Sequence, residues 1–514
     1  MPTVSRGTAP QRPSHPLKLA HAALMLAVTL ALPALAGAAP ATLSTPAAEV
    51  RGTWVTTTAN GAIASPAASA ATMRRLRDIG LNTVYVESWK NGYTQFPSDV
   101  LEKTIGVRQR PAPMPQDPSD TLAQRQAPAR DLLQETLIEA HRNGLIYVSW
   151  FEYGFMAAYK DTINHLRRQK PEWLSRDIAG NEVAPNGFVW MNPLHPEARR
   201  FLLDLVLEAV DKYDIDGIQL DDRIVWPYVT MGYDDYTRKV YAGEHDGRQP
   251  PDDFRDAEWM RWRADKVDAF AQQFVRELRA RRPSLLISLS PAVHPWAWEH
   301  YLLDWPRWSG WSAGDSAGTA SAPRWDEFIP QAYRNSYAAF AQTWRDQAAA
   351  VRATGGDRQR DLVAGIRIVG DGPDSSWDQL RQSIELTRSM GNGGHVLWYS
   401  RGVTDLYAGQ LTAFYRDSGA AAHPFFGPRW RQPSVPLQQL HARANASREG
   451  SVQWRVPAMP AGRYRLIGHD GQAWRSLDLL AAGVRQVRLP GRYTQVELLR
   501  ERRGERPVRM FTQQ

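Results

Sequence analysis

The chain of 514 residues contains no cysteine. That excludes disulfides, thiol catalysis and a lipidated-cysteine anchor. A protein without disulfides must rely on its core, which this length permits. No Asp or Glu precedes Glu49, so the formal charge of +8 is inflated by Arg6, Arg12 and Lys18 in an acid-free leader. No nucleic-acid motif accompanies the remaining excess, which reads as solvated surface with no nucleic-acid partner. After the leader no stretch is long and apolar enough to span a bilayer. Thr56-Thr57-Thr58-Ala59-Asn60-Gly61 is not a glycine-rich phosphate turn, and no Gly-x-Ser-x-Gly elbow occurs. No His/Asp/Glu spacing matches a zinc or EF-hand site, so neither metal nor other cofactor is expected. Internal repeats are absent.

What is present starts with a basic lead, an apolar run from Leu19 to Leu35, and Ala36-Gly37-Ala38-Ala39-Pro40. This order describes a secretory signal cut near Ala38 or Ala39, with no membrane insertion afterwards and a periplasmic or secreted destination. The run is short and interrupted by Pro33, at the low end of the ~17–25 residues of a spanning helix. Hydrophobic content of 43% and charged content of 23% are ordinary, but 20 Trp and 18 Tyr are not, and many sit beside strand ends where they could stack on sugars.

The expected organisation is a signal over 1–38, a linker over 39–48, a large domain over 49–420, a small one over 428–504 and a tail over 505–514. The large domain alternates strands and helices. Apolar runs predict eight strands, at 51–57, 83–89, 146–153, 217–221, 285–290, 328–333, 362–369 and 395–399. Helices at 70–79, 129–143 and 196–213 separate some of them; Gly80 and Gly144 supply the stops for the first two. Eight strands with intervening helices predict an α/β fold, a (β/α)8 TIM barrel with enlarged loops. Two long loops stand out, 109–127 and the Trp-rich 296–325; a structureless loop of that length is unusual unless functional. His423-Pro424-Phe425-Phe426-Gly427-Pro428 reads as a linker. Short alternating runs at 453–456, 464–467, 486–489 and 493–499 then predict a C-terminal β-sandwich of the fibronectin or immunoglobulin kind.

In such a barrel, function sits past the carboxyl ends of the strands. Asp214-Ile215-Asp216-Gly217-Ile218-Gln219-Leu220-Asp221-Asp222 is an apolar strand stopping at two carboxylates. Adjacent residues in an extended segment diverge, so one aspartate faces the barrel axis and the other orients a neighbour. Asp221 is the expected catalytic group and Asp222 its support; Glu87 and Glu152, on nearby strand ends, are the expected second carboxylates. Asp214 and Asp216 precede the strand and belong to the stability face. The remaining strand ends bring Trp54, Trp89, Asn91, Trp150, Tyr153, Arg223, His294, Gln331, Tyr333 and Trp398 toward one face, with Asn192 before a helix, as a polysaccharide cleft requires. His395 is a further possible contact, and His195 a helix-cap neighbour.

The motifs Arg51-Gly52-Thr53-Trp54, Leu81-Asn82-Thr83-Val84-Tyr85, Trp150-Phe151-Glu152-Tyr153-Gly154, Trp190-Met191-Asn192-Pro193 and Tyr213 to Asp222 occur in this order. Together with Ile287-Ser288-Leu289-Ser290-Pro291 and Pro330-Gln331-Ala332-Tyr333-Arg334, they resemble the family-10 glycosyl-hydrolase-like proteins over roughly residues 49 to 415. The resemblance implies an exported barrel acting on cell-wall or extracellular glycans; one branch is associated with peptidoglycan strands stripped of peptide. Asp221-Asp222 matches the motif common to the family, whereas other branches carry amides at the Glu87 and Glu152 positions. Strand four also resembles that of α-amylases, placing Asp221 on their nucleophile, but strand five ends in Ser290 where they carry an acid. In chitinase-type strands a glutamate stands where this chain has Arg223. The expected activity is hydrolysis of an amino-sugar polymer, two carboxylates flanking the bond or one assisting a 2-acetamido group. The rival is a glycan-binding barrel of the cell envelope with the sandwich as attachment module and cell-envelope proteins as partners.

Overall fold

The structure is a computed structural model that describes residues 48–111, 129–160, 162–311, 324–428, 430–440 and 450–507. The expected signal, nearly all of the linker, most of the 109–127 loop, the middle of the 296–325 loop and the end of the tail fall outside these residues.

Eight parallel strands form the large domain: β1 (Val50–Val55), β2 (Thr83–Glu87), β3 (Ile146–Phe151), β4 (Gly217–Asp221), β5 (Leu286–Ser290), β6 (Glu327–Phe328), β7 (Ala364–Arg367) and β8 (Gly394–Trp398). Neighbours pair in chain order from β1 to β6, and β8 lies between β7 and β1. Parallel bridges between Phe328 and Leu362 and between Gln331 and Gly365 join the β6 and β7 segments, closing the barrel. Strand β6 is shorter than expected because Pro330 brings no N–H to the ladder. Period two sets what points inward: Gln219 accepts from Trp54 Nε1 (2.7 Å) across the interior, and Asp221, two residues on, shares its face.

Helices cover the outside through apolar stripes. Helix α1 (Pro66–Ile79) buries Ser69, Met73, Leu76 and Ile79, is capped by Ser65, and stops at Gly80 in a left-handed conformation. Helices α2 (Leu132–Arg142), α3 (Pro196–Lys212) and α4 (Ala257–Arg281) follow the same logic. The Trp-rich loop is not structureless. It forms short helices at Trp296–Tyr301 and Trp305–Ser309, and Trp305, Trp308 and Trp325 are fully buried.

Among the described residues, those from Val435 to Glu501 form seven strands in two antiparallel sheets. Strands β9 (Val435–Pro436), β12 (Arg463–His469), β13 (Trp474–Ala481) and β15 (Gln495–Glu501) form one. Strands β10 (Gln438–Leu440), β11 (Ser451–Arg455) and β14 (Gln486–Pro490) form the other. Val452, Trp454, Tyr464, Leu466, Val496 and Leu498 make the core between them. Ile467 and Leu499, on the other face, pack with Trp474 against Ile138 of α2.

The 423–428 segment is more than a linker. His423, Phe425 and Phe426 are buried, and His423 Nε2 lies 3.9 Å from Glu327 at the start of β6. The segment thus closes the amino-terminal end of the barrel and leaves the opposite rim as the open mouth.

Candidate active site

Four carboxylates and two cations gather at the carboxyl ends of β2, β3 and β4. Asp221 ends β4 with both oxygens engaged. Its Oδ2 accepts from Trp150 Nε1 (3.1 Å) and an Arg223 guanidinium nitrogen (2.8 Å). Its Oδ1 accepts from the Asp222 backbone N–H (2.8 Å) and from Gln331 Nε2. The same Arg223 nitrogen lies 3.3 Å from Asp222 and 3.9 Å from Glu152. Lys90 Nζ lies 3.4 Å from Glu87 and 3.7 Å from Glu152, and donates to Thr58 Oγ1 at 2.8 Å. Glu87 also accepts from the Thr57 hydroxyl and, at 3.2 Å, from its N–H.

Exposure sorts the acids. The side chains of Glu87 and Asp221 are 0% and 5% exposed, against 13% for Glu152 and 18% for Asp222. Glu152 Oε2 and Asp222 Oδ1 are buried oxygens that accept no hydrogen bond. Burial pushes Asp222 up; Arg223 opposes and Glu152 adds to the rise. Burial pushes Asp221 well above the usual carboxylate range, opposed by Arg223 and reinforced by Asp222 and Glu152. Glu87 is pushed up to about 7 by burial, against the pull of Lys90. With two cations facing four acids, full ionisation would leave an uncompensated charge of −2 in a desolvated site, so the cluster retains a proton near neutral pH.

Local geometry explains how loops bring these groups together. Asn91 and Gly92 have φ of 53° and 78° and connect paired strands at Trp89–Lys90 and Tyr93–Thr94. A two-residue Asn-Gly turn matches strand twist, and here it folds Lys90 back beside Glu87. Gly154 (φ 44°) lies so close to the β4 loop that a Cβ there would stand 2.4 Å from the Arg223 carbonyl oxygen. The Phe155 N–H donates to that carbonyl at 2.9 Å, tying the Glu152 loop to the Asp221-Asp222-Arg223 turn.

Of the aromatic residues expected to shape the cleft, Trp54, Trp150, Tyr333 and Trp398 do come together. Tyr333 and Trp398 stack at 5.7 Å, and Trp54 meets both edge-on at 6.4 and 5.8 Å. Trp54 and Trp150 are 1% exposed. They form the floor and hold Gln219 and Asp221; Tyr333 and Trp398, half-buried, are the ones open to the mouth. Gln331 reaches Asp221 and the Ser290 carbonyl. Tyr153 is buried on Phe188 (6.0 Å).

Four expected contacts belong elsewhere. Trp89 is fully buried with its ring on Phe201 and Nε1 donating to the Gly154 carbonyl. Asn91 is the hairpin turn. Asn192 donates to Asp234 (2.9 Å) and Thr237 (2.7 Å), fixing the start of the 235–244 helix. His395 is buried under Tyr415, bonded to its hydroxyl at 2.7 Å, and burial pushes it down to about 3. His294 is half-buried, with its backbone held by Gln347 through N–H (2.7 Å) and carbonyl (2.9 Å). His195 is the N-cap residue of α3 and packs on Tyr236. Thr57 and Tyr301 were not among the expected site residues; Lys90 was expected at the end of strand two with Glu87, Trp89 and Asn91, but without a role. The Asn91-Gly92 pair, read as a turn, would have placed Lys90 beside Glu87. Among the described residues no group of three or more His, Asp or Glu is arranged to hold a metal ion, and no helix is long and apolar enough to cross a membrane.

The chain has relatives in sequence and in fold. The chain is 27% identical over 181 residues to the glycosyl hydrolase YngK of Bacillus subtilis, covering 33% of this chain and 31% of that one. It is 23% identical over 231 residues to the glycosyl hydrolase DigH of Escherichia coli K12, covering 42% and 45%. These matches span less than half of either relative. The glycoside hydrolase domain of PgaB (BpsB) from Bordetella bronchiseptica superposes with a TM-score of 0.50 at 14% identity, over 71% of this chain and 98% of that domain. That likeness is one of fold. The family described as glycosyl hydrolase-like 10 matches residues 49–368, and this chain belongs to it.

Proposed function

We propose that the protein is an exported glycoside hydrolase, periplasmic or secreted, that cleaves an amino-sugar polymer such as peptide-free peptidoglycan strands or a related envelope polysaccharide. Its family and the glycosyl hydrolases it resembles support the reaction class. The observation that carries the residue roles is the unequal sharing of donors among the rim carboxylates. A carboxyl proton needs an oxygen that is not already filled by accepted hydrogen bonds. Each oxygen of Asp221 accepts two hydrogen bonds, which leaves no place for a proton and, against the rise that burial imposes, favours its ionised form, aimed from the barrel axis to stabilise positive charge developing at the anomeric centre. Asp222 Oδ1 accepts no hydrogen bond, and the Arg223 nitrogen 3.3 Å from it is shared with Asp221 and Glu152, so this oxygen can carry a proton to the leaving oxygen. Glu152, whose Oε2 accepts no hydrogen bond and lies 3.7 Å from Lys90 Nζ, is the second carboxylate for base or nucleophilic work. Glu87, enclosed by Thr57 and Lys90, positions Lys90 from behind. The sequence favoured Asp221 for chemistry and Asp222 for support; the donor pattern favours the proton on Asp222.

Peptide-free glycan strands, digested and analysed by mass, are the first test. Release of shortened strands is expected. A protein that binds the strands and leaves them intact would be the glycan-binding barrel instead. Within an active protein, Asp222→Asn should abolish cleavage of the polymer yet spare an aryl glycoside whose leaving group needs no proton, and should remove the alkaline limb of the pH profile. Asp221→Asn should lose both activities. The opposite pattern would return the acid to Asp221.

A further inference from the structure

We propose that Trp296 is a stacking platform for a sugar ring of the polymer beyond the unit being cleaved, which rests on the glycan reading above. Among the described residues the exposed large hydrophobic side chains are Ile163, Ile178, Trp296, Leu406 and Leu479, so Trp296, at 41%, is the aromatic one. Single exposed apolar residues are common on soluble proteins and by themselves mean little. This ring differs in being held. It stacks on His300 at 4.4 Å and 17°, and meets Tyr301 edge-on at 5.2 Å and 80°. Tyr228, in a left-handed conformation (φ 67°), backs His300 and Tyr301 in turn. One indole face is therefore covered by the imidazole, and the exposure belongs to the rest of the ring. A ring already fixed loses little entropy when a ligand covers it.

Its support is continuous with the carboxylates. The Tyr301 carbonyl accepts from the Trp226 N–H (3.1 Å), four residues past Asp222 in the same loop. The Tyr301 hydroxyl accepts from Asn186 Nδ2 (3.0 Å) in the long loop that follows β3. Burial and, next, the Asp222 charge both push the Tyr301 phenol up, which agrees with that continuity. Indole presents a flat apolar face that suits the C–H face of a pyranose, and a chain gripped at the carboxylates would extend across it.

The test compares Trp296→Ala with wild type on peptide-free strands of graded length and on a short aryl glycoside. The ratio of kcat/KM on long strands to that on the short substrate should fall about tenfold, mostly through KM, and Trp296→Tyr should restore part of it. An unchanged ratio overturns the platform. If the wild-type protein cleaves nothing, retardation in a gel containing the strands still decides: loss of retardation in Trp296→Ala supports the platform, equal retardation rejects it.

Discussion

Glu327 sits inside the barrel between donors, accepting from Tyr85 (2.9 Å) and Ser288 (2.7 Å), while its nearest imidazole, His423, is pushed down to about 3 by burial and is neutral. Burial pushes Glu327 itself from 4.5 up to about 7. Below 4.5 the group is protonated folded and unfolded, and its contribution to stability is intact. As pH rises through about 7 the folded state must bury a charge that the unfolded state carries in water, and on the order of 2–3 kcal/mol is lost. Glu327→Gln keeps an acceptor for both donors and removes the titration. Denaturant melts at about pH 4.5 and pH 8 should therefore show the variant gaining on wild type at the higher pH by that amount; an equal difference at both values would reject the assignment. Gln331 acts at the other end of the barrel, donating to Asp221. Gln331→Leu should lower kcat about ten- to hundredfold with little change in KM, since the donor matters most when Asp221 faces developing charge. A loss confined to KM would make Gln331 a binding residue only.

Two loops, one after β3 and one after β4, meet at Gly154, where the backbone conformation and the 2.4 Å approach to the Arg223 carbonyl both demand glycine. Gly154→Ala should cost roughly 1–3 kcal/mol and displace Arg223, which contacts Asp221, Asp222 and Glu152 together. Activity should fall more than the melting shift explains; a variant that is destabilised but fully active would uncouple the glycine from the site. The barrel was legible because buried parallel strands are apolar runs, and Asp221-Asp222-Arg223 stood out because the charge begins where such a run stops. Other features were hidden for definite reasons. A tryptophan near a strand end reads the same whether it lines the floor, as Trp150 does, or packs outside on Phe201, as Trp89 does. Strand β13 escaped because it carries Asp478 and shows no two-residue alternation of burial. The pairing of Lys90 with two glutamates was hidden because its partners on β2 and β3 meet it only once the hairpin is folded.

The two sheets at the C-terminus grip the barrel at the end away from the carboxylates. Asp216, just before β4, accepts from Trp430 Nε1 (2.7 Å), Arg431 Nε (2.7 Å) and the Tyr147 N–H (2.9 Å), and bonds His141 Nε2 at 2.9 Å. Asp214 accepts from Arg431 (3.0 Å) and the Arg502 N–H (3.2 Å). Beside them Arg142 pairs with Glu497 at 2.8 Å and lies over Trp474 at 4.0 Å. Both aspartates thus serve the stability face, as their place before the strand implied. Burial works against charging Asp216, but Arg431 and His141 hold it below the usual carboxylate range. Removing one partner of a buried pair costs more than the pair contributes, because the other charge is stranded, so Arg431→Met should destabilise by roughly 3–5 kcal/mol. The stranded charge lies under the barrel, while the arginine comes from the segment leading into the sandwich. Calorimetry should therefore show wild type melting in one transition and the variant in one transition at lower temperature. Cleavage at a temperature where the variant is folded should be unchanged, because the mouth is at the other end. A variant whose sandwich melts early while the barrel holds its original midpoint would show two independent domains and overturn the coupling.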